Sequence, residues 1–276
     1  MLYAPRMAPA VRSPAVAGTF YPQGRTDLAS LVDRLLADAR PPAGRGVPKA
    51  IVVPHAGYVY SGPIAASAFK LFEPIADEIE RVILIGPAHR VFLDGLASPG
   101  ASALATPLGQ VPVDEESLAG VPEVARDPKA HAREHSLEVE IPFLQRVAPR
   151  AKIVPLVVGH ASPEAVGRIL EKLWGGPETR IVVSSDLSHY LSYEEGRFAD
   201  ARTARRIVSL AAQPVGQDEA CGASGINGLV WVARKRQLRG ELIDLRSSGD
   251  TAGSRDEVVG YGAFAFFEEE PEHAAP

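Results

Sequence analysis

Three of the seven histidines follow short apolar runs rich in β-branched residues. His55 comes directly after IVVP at 51–54, His89 directly after VILIGPA at 82–88, and His189 just after IVVSSD at 181–186. Imidazole is the commonest metal ligand and the usual general acid or base near neutral pH. A lone histidine beyond a strand is ordinarily a hydrogen-bonded structural group. Three at equivalent strand ends instead suggest one site. Asp186 precedes His189 by three residues and could orient an imidazole through its second nitrogen or cap the following turn. Tyr58, Tyr60 and Tyr190 lie in the same loops, where they could line a pocket or simply pack.

Cys221 is the only cysteine, so no intramolecular disulfide forms. It opens ACGASGING at 220–228, where glycines allow close backbone approach and a helix begins. A helix N-terminus favours thiolate, making Cys221 a candidate third ligand or a nucleophile; the histidines favour the ligand reading. A second pattern is His131, Glu134 and His135, spelling H-x-x-E-H. On a helix both imidazoles could share one zinc with Glu134 as base, as in inverted zinc peptidases. His135 alone could also reach the main site as proton shuttle or substrate donor. There is no G-x-S-x-G elbow, P-loop or G-x-G-x-x-G.

The elements that must position these residues alternate. Helices are expected over TDLASLVDRLLADA with Thr26 as N-cap, PIAASAFKLF, EHSLEVEIPFLQRVA with Pro142 in its first turns, SPEAVGRILEKLWGG with a Ser/Glu capping pair, EEGRFADARTARRIVSLAA, and the stretch after Cys221. Buried strands are expected at AIVVP, RVILIG, KIVPLVVG and RIVVSSD, and closing strands at ELIDLRS and VVGYGAFAFF. This alternation predicts a three-layer α/β/α sandwich with a mostly parallel central sheet, whose ligands gather beyond the carboxyl ends of the strands.

The chain has 276 residues, 46% of them hydrophobic, and a net charge of -5. That fits one domain with a sizeable core and offers no basic stripe for nucleic acid. No apolar run is long enough to span a membrane, and the N-terminus lacks a signal-peptide core; the expected location is cytoplasmic. The acidic C-terminal tail reads as a solvated end.

Seven segments in order resemble the Memo family: RSPAVAGTFYP, PHAGYVYSGPIAASAF, LIGPAHRV, EHSLEVEIPFLQ, SSDLSHY, ACGASGING and GDTAGSRDEVVGYGAFAF. The likeness runs from about Val11 to Phe267, implying one Memo-like domain over 1–276. Eukaryotic members of that family are cell-motility mediators; prokaryotic ones are known as AmmeMemoRadiSam system protein B. The resemblance implies a fold similar to class III extradiol ring-cleavage dioxygenases, non-haem iron enzymes with two histidines and a glutamate as ligands. It maps the metal ligands to His55, His89 and Cys221, and places His189, His135 and Asp186 beside them as catalytic groups. Tyr58, Tyr60, Glu134 and Tyr190 are then expected to face substrate. One metal ion is expected, iron or copper first and zinc next; cysteine stands where the dioxygenases carry a carboxylate, and as a soft thiolate it shifts preference toward copper(I) or zinc and leaves iron possible. The implied partners are a small-molecule or peptide ligand and a radical S-adenosylmethionine protein. Three readings follow: a redox enzyme related to extradiol dioxygenases, a non-catalytic adaptor reusing the pocket, and a zinc hydrolase through His131, Glu134 and His135.

Overall fold

The computed structural model describes residues 10–42, 44 and 46–268. The tail from residue 269 onward, expected to be a solvated end, lies outside the described residues. The strands are β1 (Val11–Arg12), β2 (Ala50–Val53), β3 (Arg81–Pro87), β4 (Leu96–Ser98), β5 (Ala103–Thr106), β6 (Gly109–Pro112), β7 (Ala125–Arg126), β8 (Lys152–Val158), β9 (Thr179–Ser184), β10 (His189–Leu191), β11 (Arg239–Ser247) and β12 (Val258–Phe267). The helices are α1 (Arg25–Asp38), α2 (Tyr58–Phe69), α3 (Glu115–Ala119), α4 (Pro128–Ala132), α5 (Ile141–Val147), α6 (Pro163–Leu173), α7 (Tyr193–Val208) and α8 (Ala223–Lys235).

The large sheet runs β10-β12-β2-β9-β3-β8-β4-β7, with β11 also paired to β12. Its centre, β2-β9-β3-β8, is parallel. Both flanks include antiparallel pairs, β12 with β2 and β4 with β8, so the sheet is mixed. The central strands alternate their side chains between two cores, as a strand covered on both faces must. Ile51, Val53, Val82 and Leu84 pack with α1, α2 and α5 on one face. Val52, Ile83, Ile85 and Val183 pack with α6, α7 and α8 on the other. The result is the expected three-layer sandwich. Beside it β1, β5 and β6 form a separate small sheet.

α6 shows why these segments become helical. Ser162 accepts the Ala165 N–H at 3.2 Å, Pro163 takes the first turn, and Val166, Ile169, Leu170 and Leu173 fall on one buried face. Each such side chain contributes on the order of 1.5–3 kcal/mol of burial free energy. α6 lies close against α8 because Gly228 carries no Cβ; one built there would sit 2.3 Å from Val166.

Several local expectations change. α1 is capped at Gly24, one residue before its start, so Thr26 lies inside the helix. Glu164 stands one position too early to close a capping box with Ser162, leaving Ser162 as cap alone. α2 begins at Tyr58, not at Pro63, which sits within it. The segment after Glu134 is not one helix: a 3-10 turn, Glu138–Glu140, leads into α5, with Pro142 in its first turn. The Glu134 carboxylate takes the N–H groups of His135 and Ser136, competing with helical bonding there. The short strands β1, β4 to β7 and β10 carry too few residues for a period to show. No described helix is long and apolar enough to cross a membrane.

Candidate metal centre

The carboxyl ends of β2, β9 and β3 are neighbours in the sheet, and they deliver His55, Asp186 and His89 to one edge. The turn into α8 brings Cys221 to the same place. Nε2 of His55 lies 3.3 Å from Sγ of Cys221. The ligand atoms of His55, His89 and Cys221 all fall within 4.8 Å of one another. The rings of His55 and His89 meet edge-on with centroids 5.2 Å apart.

Each of these groups is held. The His55 N–H donates to Asp186 Oδ1 at 2.8 Å, and His55 Nδ1 is 2.7 Å from Ser184 Oγ. The His89 N–H donates to Glu134 Oε2 at 2.6 Å, and its Nδ1 lies 2.9 Å from Oε1. Burial opposes charge on Glu134, but the hydrogen bonds from His89 and the Ser136 N–H outweigh it and hold the carboxyl at about 2. An ionised carboxylate only accepts, so His89 donates from Nδ1, which leaves Nε2 as the nitrogen available to a metal. Cys221 Sγ accepts the Asp186 N–H at 3.3 Å, and the Cys221 N–H donates to the Asp186 carbonyl. Gly222 must be glycine for this: a Cβ would lie 2.6 Å from the Ser184 carbonyl oxygen.

Burial, then the neighbouring His89 and His135, push His55 well below the ordinary histidine range, so it is neutral. Burial and Asp186 raise the Cys221 thiol to about 12. The expected helix-terminus activation of this thiol is therefore corrected: Cys221 precedes the cap residue Gly222 and is dominated by desolvation. Two imidazoles and one thiol suit a borderline or soft cation, which would displace the thiol proton. The donor set fits a metal ion.

His135 also reaches this site. Its ring stacks on His89 at 4.9 Å and meets His55 at 5.5 Å, and its buried Nδ1 has no hydrogen-bond partner. Burial keeps it neutral, lowering it to about 4. His189 lies outside the ligand cluster; burial lowers its pKa, against the opposing pull of the Leu187 backbone. Asp186 does not orient the His189 ring. It anchors the backbone of the His55 loop, and burial raises it to about 7 against those bonds.

A cleft of about 450 Å³ opens on the site, bordered by His89, Cys221, Val91, Phe92 and Gln217. None of the three tyrosines borders it. Tyr58 is 2% exposed, and its hydroxyl donates to the Val139 carbonyl within the core. Tyr60 is partly exposed, and Tyr190 is 73% exposed on a left-handed residue at φ 58°. Glu134 is likewise not a substrate group, since both its oxygens are taken by protein donors. The hydrolase geometry fails too. The helix carrying His131 ends at Ala132, and His131 Nε2 lies 2.8 Å from the Ala97 carbonyl oxygen. Among the described residues His131 belongs to neither cluster able to hold a metal. The other cluster, His89, Glu134 and His135, shares Glu134 with three backbone donors.

Sequence reasoning missed Ser184, Glu140, Arg12 and Glu138. Arg12 donates through Nε to the His131 carbonyl at 3.0 Å, donates to the Glu134 carbonyl, and pairs with Glu138. Glu138 is fully buried and accepts the Ala15 and Val16 N–H groups and the Tyr21 hydroxyl. This ties the N-terminal segment to the loop holding Glu134 and His135. The available signal was acidic residues inside the apolar stretch 137–144, which cannot be buried unpartnered.

The family model described as "Memo-like protein" matches residues 12–265. A MEMO1 family protein of Aquifex aeolicus is 36% identical over 277 residues, covering 93% of this chain and 99% of that protein. MEMO1 family proteins of Archaeoglobus fulgidus, 34% identical with 93% and 99% covered, and Aeropyrum pernix, 35% with 92% and 98%, are similarly alike. With that match spanning nearly all of the described chain, the protein belongs to the Memo family.

Proposed function

We propose that this chain is a metal-dependent redox enzyme related to extradiol dioxygenases, acting on a small molecule bound in the cleft beside Cys221. The observation that carries it is the convergence of two imidazoles and a thiol at the mouth of that cleft. His55, His89 and Cys221 would hold the ion, with iron or copper favoured over zinc. The ion, when bound, supplies electron transfer and polarisation of the substrate.

The protein's own residues do the rest. Glu134 fixes the orientation of His89, and Asp186 fixes the backbone of His55. His135, kept neutral by burial and stacked on the His89 ring, is the group to which we assign proton transfer with substrate. His189, beyond it, is the second proton carrier. Val91 and Phe92 on the cleft wall favour a ligand with an apolar body. Association with a radical S-adenosylmethionine protein, which the family resemblance implies, is a separate proposal that copurification tests.

The test of the enzymatic reading is anaerobic purification, metal analysis and measurement of dioxygen uptake with catechol-type substrates. We expect iron or copper bound in equimolar amount and uptake that Cys221→Ser abolishes. Equimolar metal without uptake, or uptake indifferent to Cys221→Ser, would contradict it.

A further inference from the structure

We propose that Ser184 is the positioning residue of the metal centre, taking the Nδ1–H of His55 so that Nε2 keeps its lone pair toward Cys221. The inference rests on the metal-centre reading above and adds what selects the ligand nitrogen. A neutral imidazole carries one proton and here has two places to put it. On Nδ1 it points at Ser184 Oγ, 2.7 Å away; on Nε2 it points at Cys221 Sγ, 3.3 Å away. The second choice would block the nitrogen that a metal needs.

Ser184 decides between them by counting hydrogens. It ends β9, is fully buried, and its Oγ has three close oxygen or nitrogen partners. These are His55 Nδ1, the Ser136 carbonyl oxygen at 2.6 Å and Glu140 Oε1 at 2.8 Å. A hydroxyl has one hydrogen and two lone pairs. The carbonyl can only accept, so the hydroxyl hydrogen goes to Ser136. Oγ must then accept from both other partners. Nδ1 of His55 is therefore protonated, and Glu140 is the neutral acid that donates.

The surroundings of Glu140 agree. It is 0% exposed, and its second oxygen has no partner, which a neutral acid tolerates far better than an anion. Burial raises it well above the usual carboxyl range, outweighing the Ser184 hydrogen bond, with Asp186 adding in the same direction. An ionised Glu140 would compete with Ser136 for the hydroxyl hydrogen and draw a proton onto His55. Kept neutral, it leaves His55 uncharged and available to a cation.

The experiment is long-range ¹H–¹⁵N correlation on histidine-labelled, metal-free protein near neutral pH, for wild type, Ser184→Ala and Glu140→Gln. A parallel Zn(II) titration follows each protein. We expect wild-type His55 with a protonated Nδ1 and bare Nε2. Glu140→Gln, permanently neutral and still a donor, should leave both the pattern and the Zn(II) affinity unchanged. Ser184→Ala should shift the proton toward Nε2 and weaken Zn(II) binding roughly 10–100-fold, the range for loss of a group that orients a ligand. A wild-type pattern with Nε2 protonated overturns the proposal. So does a Glu140→Gln variant that redistributes the proton as Ser184→Ala does. If wild type shows the expected tautomer yet binds no metal, the metal-centre reading fails while the hydrogen-bond assignment stands.

Discussion

Glu134 carries four hydrogen bonds, from the N–H groups of His89, His135 and Ser136 and from the His89 ring. All four need an acceptor, so a carboxamide would turn a donor toward at least one of them. Glu134→Gln should lower metal affinity roughly 10–100-fold while far-ultraviolet dichroism stays native. An unchanged dissociation constant in a metal titration would remove Glu134 from the site. At this scale the approach of His55 and His89 was legible, because histidines beyond parallel neighbouring strands reach one edge, whereas Cys221 was joined to them through the family resemblance and His189 lies outside the cluster. The groups that orient the ligands were not legible. Ser184 is one hydroxyl among several at 184–188, and only its contacts distinguish it. Tyr58 misled because its loop position suggested the cleft, whereas at the first turn of α2 its ring packs between Tyr21 and Phe143.

The segment from Arg12 to Tyr21 works as a strap across the loop that carries Glu134 and His135. β1 pairs in parallel with β5, which fixes Arg12 against Glu138 and two carbonyls. Arg12→Ala would leave the Glu138 carboxylate buried without its guanidinium. Breaking one partner of a buried pair costs about 3–5 kcal/mol, so a urea melt should show a loss of that size. A loss below about 1 kcal/mol, the worth of a surface pair, would show that the strap is not structural. The contrast between elements explains what sequence could reveal. β2, β3, β8 and β9 are continuous apolar runs covered on both faces, and they were found. β1 has two residues and no period, and it pairs with a strand 92 residues away at Val11↔Ala103. The sandwich and its parallel centre are legible, but which flanking strands run antiparallel is set by the connections there, which periodicity does not encode.

Over the whole molecule, buried neutral histidines set how stability follows pH. His131 is 2% exposed and burial lowers it to about 4, despite its bond to the Ala97 carbonyl. The unfolded chain binds that proton near the ordinary value of about 6.5, so it gains protons first as pH falls. The stability His131 contributes is present above about pH 6.5 and is lost toward about pH 4, a change of about 3 kcal/mol. His131→Gln keeps an N–H for Ala97 and cannot ionise. Its denaturation midpoint should fall less steeply than that of wild type over this interval. Parallel profiles would mean that His131 is not the titrating group. The same burial that shapes this dependence places His55, His135 and Cys221 in a site where uncharged donors face one another, which is why a cation is the ligand that completes it.

The most direct measurement is a crystal structure of anaerobically metal-loaded protein with anomalous data at the metal edge. The predicted result is one peak joining Nε2 of His55, Nε2 of His89 and Sγ of Cys221, at about 2.0–2.1 Å from nitrogen and about 2.3 Å from sulfur if zinc is used. A peak at His89, Glu134 and His135 instead, or fully loaded protein in which Cys221 makes no bond to the ion, would contradict the account.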